Sequence, residues 1–99
     1  MGTSRRRYLV AYDIRDDRRL RRVAATMKGF GWRMQYSVFI ADLDGVELVD
    51  LKTRLGALLD HAADSVAFID VGLPQERGRS SFAFMGVHPK LPEAGAVVI

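Results

Sequence analysis

Tyr8-Leu9-Val10-Ala11-Tyr12-Asp13-Ile14-Arg15-Asp16-Asp17, running straight on into Arg18-Arg19-Leu20-Arg21-Arg22, reads as a buried strand that ends on an acid and turns at once into a basic helix. Residues 8–12 are apolar or aromatic without interruption, the pattern of a strand covered on both faces. Asp13 stands where that strand should stop. Asp16 or Asp17 can accept hydrogen bonds from the free N–H groups that open a helix. A carboxylate at a strand end is held by a rigid element yet open to solvent, which suits chemistry. Arginines just beyond it can hold a polyanion over that carboxylate. The plainer alternatives are that Asp13 orders a turn and that the arginines form a solvated helix face.

Outward from this stretch, the spacing predicts a first helix over 17–30. Leu20, Val23, Ala24, Met27 and Phe30 form its apolar stripe. Gly29 and Gly31 stop it, as glycine accepts the left-handed conformation that ends helices. Residues 32–43 are rich in aromatic and β-branched types and too long for one ordinary strand. They divide into strands at Trp32–Gln35 and 37–42, with a bend near Tyr36. Asp44 followed by Glu47 resembles a capping box. The helix it opens carries Leu48, Leu51, Leu55, Leu58, Leu59 and Ala62 on one stripe. His61 near its end reads as a surface residue complementing the helix dipole. Ser65–Gly72 is a further strand, 73–81 a polar loop broken by Pro74 and Gly78, and 82–86 a short strand. The last four residues, Ala96-Val97-Val98-Ile99, are too apolar for a free tail. They are expected to join a sheet edge in this chain or a partner.

The order β-α-β-β-α-β plus an extra strand gives the fold class as α+β. It is a ferredoxin-like plan with a four-stranded antiparallel sheet, two helices on one face and an additional C-terminal strand. Residues 1–86 form the domain, 87–99 a tail packed on a sheet edge or on a partner subunit, and 1–4 a flexible leader. The first and fourth strands are apolar on both faces, whereas two helices cover only one. The other face is therefore an expected interface, covered most simply by a second copy in a homodimer, with the late strand crossing over to lock the pair.

Ninety-nine residues leave room for one domain, and an apolar fraction of 48% argues against wholesale disorder. The absence of cysteine excludes a disulfide framework and a thiolate metal site, and fits a cytoplasmic location. No apolar run is long enough to span a bilayer, so no membrane role is expected. The net charge of +3 hides an asymmetry. Residues 1–41 carry ten Lys/Arg against three Asp/Glu, and residues 42–99 carry five against nine, giving +7 and −4. Such a basic half suits phosphate contacts and a nucleic-acid partner.

Asp13 is the prime candidate for chemistry. Mg²⁺ takes one or two carboxylates together with waters and substrate phosphates, so two copies of Asp13 brought together across paired sheets would serve it. Arg15, Arg18, Arg19, Arg21 and Arg22 offer forked donors for phosphate oxygens, and Arg33 on the next strand can join them. Arg77 and Arg79 in the polar loop can add further contacts. No base-reading motif is visible, so contacts should follow the backbone of RNA or DNA. Tyr8, Tyr12, Tyr36 and Phe39 have rings that can stack on bases or pack in the core. Ser37 has no activating neighbour in sequence and reads as a hydrogen-bonding residue at the bend.

Together these pieces closely resemble a known family, the small CRISPR-associated endoribonuclease that is the second core protein of the spacer-acquisition machinery. The resemblance lies in Tyr12-Asp13-Ile14 closing the first strand and Asp16-Asp17 with arginines opening the helix. It continues in Gly29 to Gly31 ending that helix and in Gln35-Tyr36-Ser37-Val38-Phe39. It runs from about residue 8 to residue 86. It implies a ferredoxin-like homodimer with a late strand exchanged between subunits. It also implies a magnesium-dependent nuclease acting on single-stranded RNA or, in some members, double-stranded DNA. The family's catalytic, metal-flanking aspartate falls on Asp13, its supporting arginines on Arg22 and Arg33, and a supporting aromatic on Phe39. The family's other role is structural, a dimer that bridges integrase subunits and supports the DNA to be inserted. A non-catalytic scaffold of that kind is the alternative reading. The chain departs from many relatives at Ile40, where they carry an acid, and at Leu20, where they carry a base.

Overall fold

The computed structural model describes residues 4–87 and the backbone of 97–98. The elements in chain order are β1 Arg6–Asp13, α1 Asp17–Lys28, β2 Trp32–Gln35, β3 Val38–Leu43, α2 Gly45–Leu58, β4 Ser65–Gly72, α3 Arg77–Ser80, β5 Ala83–Phe84 and β6 Val97–Val98. The first four strands form one antiparallel sheet in the order β2-β3-β1-β4. That order places the first strand between the third and fourth, as the ferredoxin-like plan requires.

Alternation along β1 sends its side chains to two different environments. Tyr8, Val10 and Tyr12 face the helices and join Val23, Met27, Phe39, Leu51 and Leu55 in the main core. Arg7, Leu9, Ala11 and Asp13 alternate with them and share the outer face. Leu9 stands opposite Ile40 and Ile69, Ala11 opposite Val38 and Ala67, and Asp13 opposite Ser65. The outer face is not bare. Phe82 and Phe84 fold back over Ile40, with Leu9, Met34 and Val71 packed around them, in a second small core. What remains open lies toward β4, where Ala67 is exposed and Ile69 keeps 49% of its surface.

Several local readings hold. Asp16 caps α1, its carboxylate accepting the Arg19 N–H at 2.9 Å. Asp44 and Glu47 complete a reciprocal capping box at 2.8 and 3.0 Å, and Arg5 grips Glu47 from outside at 2.9 and 3.1 Å. That clamp holds the Glu47 carboxyl below the usual range, through the Arg5 hydrogen bond first and the Asp44 N–H second.

Others are corrected. Gly29 is right-handed, with φ −78°, so it does not stop α1 by a left-handed turn. The glycine that the turn needs is Gly31, where a Cβ would lie 2.1 Å from the Ile40 carbonyl oxygen. The second helix ends at Leu58, so Ala62 sits beyond it in an exposed turn. The polar loop after β4 contains the helical turn α3, because Gly78 lets its backbone sit against Leu73 and Arg7. A Cβ there would meet the Leu73 carbonyl oxygen at 2.8 Å. The expected strand over 82–86 shortens to Ala83–Phe84. It pairs in parallel with Val97–Val98 in a separate two-stranded sheet. The rest of the predicted tail, and residues 1–3 of the leader, lie outside the described residues. Among the described residues, no helix is long and apolar enough to cross a membrane.

Candidate functional site

Asp13 is the last residue of β1, an interior strand, and its side chain keeps 66% of its surface. Its nearest charged neighbour is Arg15, with Nη2 3.5 Å from Oδ2. The turn that carries it is fixed on both sides. Ile14 packs against the main core, and the Arg15 N–H donates to Asp64 Oδ1 at 2.9 Å. The result is an exposed carboxylate on a backbone with little freedom to move.

Asp64, between α2 and β4, was not legible as a site residue. Its side chain is fully enclosed, and it accepts from the Arg15 N–H, the Asp60 N–H at 2.9 Å, and Arg19 through Nε at 2.7 Å and Nη2 at 3.2 Å. These donors hold its carboxyl far below the ordinary carboxylate range, the Arg19 hydrogen bond first and the Arg15 N–H next. Arg19 is thereby drawn into the frame of the turn, its fork taken up by Asp64 instead of facing solvent.

The other arginines of α1 are placed differently. Arg18, Arg21 and Arg22 are exposed. Among the described residues no carboxylate pairs with them. They are open to a phosphate backbone. Arg33 is also exposed and lies over the Phe39 ring, 5.3 Å from its centroid. Arg7, by contrast, is buried on the outer face, with Nε and Nη2 on the two oxygens of Asp42 at 2.7 and 2.9 Å. Its Nη1 donates to the Gly78 carbonyl at 3.3 Å.

The aromatic candidates separate cleanly. Phe39 is completely buried and Tyr12 nearly so, their rings stacked with centroids 6.2 Å apart. Tyr8 packs against the same core. None of these three offers a face to a base. Tyr36 does, with 72% of its surface exposed. Ser37 meets Tyr12 through its backbone, the Tyr12 N–H donating to the Ser37 carbonyl at 3.0 Å. His61 directs Nε2 to the Gly56 carbonyl at 2.8 Å, at the end of α2.

Among the described residues, no three Asp, Glu or His side chains gather into a metal site. Of the acids singled out in the sequence, Asp13 is the exposed carboxylate at a strand end. Its hard oxygen donors and its exposure suit a magnesium ion.

Comparison with known proteins adds the family. The model of CRISPR associated protein Cas2 matches residues 6–78. The chain is 38% identical over 79 residues to the CRISPR-associated endoribonuclease Cas2 of Geobacter sulfurreducens, covering 80% of this chain and 82% of that protein. It is 41% identical over 86 residues to CRISPR-associated endoribonuclease Cas2 2 of Thermodesulfovibrio yellowstonii, covering 87% and 89%. Among solved structures, a hypothetical protein, TT1823, from Thermus thermophilus superposes with a TM-score of 0.75 at 38% identity, over 88% of this chain and 98% of that one. Streptococcus pyogenes Cas2 superposes with a TM-score of 0.60 at 37% identity, over 64% and 82%.

Proposed function

This chain belongs to the CRISPR-associated protein Cas2 family, and from that membership we propose that it is a metal-dependent endonuclease of the spacer-acquisition machinery, cutting phosphodiester bonds in RNA or double-stranded DNA with Asp13 as its catalytic carboxylate. The observation that carries this reading is the position of Asp13. It is an exposed acid at the end of an interior strand, on a turn pinned by Ile14 and Asp64, beside a helix whose Arg18, Arg21 and Arg22 have no carboxylate partner among the described residues. The relatives' name, endoribonuclease, agrees with it.

The active species in this reading is a homodimer. Asp13 lies on the outer sheet face, and a second copy packed there would supply a second Asp13 carboxylate. A bound Mg²⁺ would polarise the scissile phosphate and favour deprotonation of an attacking water. The chain's own residues do the rest. Asp13 from each copy would hold the ion, and Arg15, 3.5 Å from Asp13, would offset repulsion between those carboxylates and the substrate phosphate. Arg18 and Arg22 hold the flanking phosphodiesters as forked donors.

A second reading is favoured by the finding that, among the described residues of one chain, no three ligand side chains gather into a metal site. The protein would then be a non-catalytic dimeric scaffold that binds duplex DNA and the CRISPR integrase subunit through its basic surface. Cleavage of labelled RNA and duplex DNA, with Mg²⁺ or with EDTA, by the wild type and by Asp13→Ala separates the two. Cleavage that needs Mg²⁺ and falls by about 100-fold or more in the variant supports the nuclease. Equal cutting by both proteins overturns it.

A further inference from the structure

On the helix side of the sheet, opposite the face that carries Asp13, a groove of about 370 Å³ opens between α1 and the β2–β3 hairpin. Its floor is apolar, formed by Tyr12, Leu20 and Ala24. Its rim carries Arg21, Lys28, Arg33 and the exposed ring of Tyr36. Six other arginines, Arg5, Arg6, Arg7, Arg15, Arg19 and Arg54, each lie within ion-pair distance of an acid. Among the described residues none does so with the three rim cations. Arg33 instead lies over the Phe39 ring, 5.3 Å from its centroid, and is exposed.

Tyr36 is the second part of the argument. A large aromatic side chain at a two-residue hairpin turn, 72% exposed, contributes nothing to either core. Its backbone has a separate structural task, because the Tyr36 carbonyl accepts the Tyr12 hydroxyl at 3.4 Å. The ring is therefore free to vary without disturbing the turn. An exposed ring beside an apolar floor and three cations with no acid partner among the described residues suits the chemistry of a nucleotide, a flat π-face with an anion on each side. Bases inside a duplex are already stacked and cannot reach such a ring.

We propose that this groove binds one unstacked nucleotide of a single-stranded nucleic acid, its base on the Tyr36 ring and its flanking phosphates on Arg21, Lys28 and Arg33. The choice of nucleic acid as ligand rests on the nuclease reading; binding itself needs neither Asp13 nor a metal ion.

Fluorescence anisotropy in EDTA tests it, with a labelled single-stranded RNA 12-mer and a duplex of equal length as probes. Tyr36→Ala should weaken the single strand about tenfold and leave the duplex within about twofold, while Tyr36→Phe should keep wild-type affinity. Lys28→Gln should lower the salt slope for the single strand by about 0.7. A loss below about twofold in Tyr36→Ala, or an equal loss for the duplex, overturns the proposal. So does displacement of the 12-mer by adenosine triphosphate at near-stoichiometric concentration, which would make the groove a site for a free nucleotide. Cleavage measured alongside keeps the two readings apart. Intact magnesium-dependent cutting with no Tyr36 effect removes the groove alone. A Tyr36-dependent affinity in a protein that never cuts supports the groove and removes the nuclease alone.

Discussion

Arg19 lays Nε and Nη2 on the two oxygens of Asp64, at 2.7 and 3.2 Å, and so ties the first turn of α1 to the segment that leads into β4. The same carboxylate takes the Arg15 N–H, two residues beyond Asp13. One enclosed acid thus sets the path of the turn on which the exposed acid stands. Asp64→Asn should lower Tm by roughly 5–10 °C, since it strands a guanidinium and weakens two backbone contacts. The pH dependence has a definite sign. The Asp64 carboxyl lies below its ordinary value in the folded chain, held there by Arg19 first and the Arg15 N–H next. Its contribution is complete above the unfolded pKa of about 4 and is lost as the pH falls through the lower folded value. Asp70, lowered by Arg6 first and the Gly72 N–H next, acts in the same direction. Thermal melts should be flat above about pH 5 and fall steadily below about pH 4, with a shallower fall in Asp64→Asn. Identical acid profiles for the two proteins would remove Asp64 from this role.

Two glycines give a sharper test of the backbone. Gly31 passes so close to β3 that a Cβ would stand 2.1 Å from the Ile40 carbonyl oxygen and 2.9 Å from the Ala41 Cα, neither of which can swing aside. Gly56, inside α2, has nothing within 4 Å of its Cβ position. Gly31→Ala should therefore cost about 2 kcal/mol or more. Gly56→Ala should add about 0.5–1 kcal/mol by restricting the unfolded chain and favouring the helix. Urea titrations of the two variants should move in opposite directions from the wild type, and a shift in the same direction would contradict the described packing of the α1–β2 turn.

These residues also mark what the sequence could and could not reveal. β1 and α1 were legible because their information is local: an unbroken apolar run, an acid at its end, a cap and a stripe at helical spacing. The capping box at Asp44 was legible for the same reason. Asp64 was not, because the partner that gives it meaning is Arg19, distant in the chain, and nothing near Asp64 announces a clamp. Tyr36 and Phe39 looked alike as aromatic residues of one β region. A register irregularity between Arg33 and Gln35 and the turn after it decide which is enclosed and which stands out. The outer face read as bare because Phe82 and Phe84 return to it only through a tertiary contact with Ile40. Asp13 itself was found by its place at a strand end. Its assignment to the outer face needed the alternation of β1 to be fixed by the core.

That assignment yields the last prediction. The open part of the outer face lies around Ala67 and Ile69 on β4, and Ile69 pairs across the sheet with Leu9, two residues along the same face from Ala11 and four from Asp13. If a second copy brings its own Asp13 to the site, it must cover this strip, and a charge placed there would be buried without a partner. Ile69→Lys should leave the monomer folded, because the side chain already keeps half its surface, while raising the dimer dissociation constant roughly thirtyfold or more. Analytical ultracentrifugation across a concentration series, paired with the magnesium-dependent cleavage assay, measures both effects. Cleavage should fall in proportion to the dimer and recover as the protein concentration rises. A variant that is monomeric at every concentration yet cuts at the wild-type rate would show that one Asp13 is enough, and the two-carboxylate arrangement would have to be abandoned.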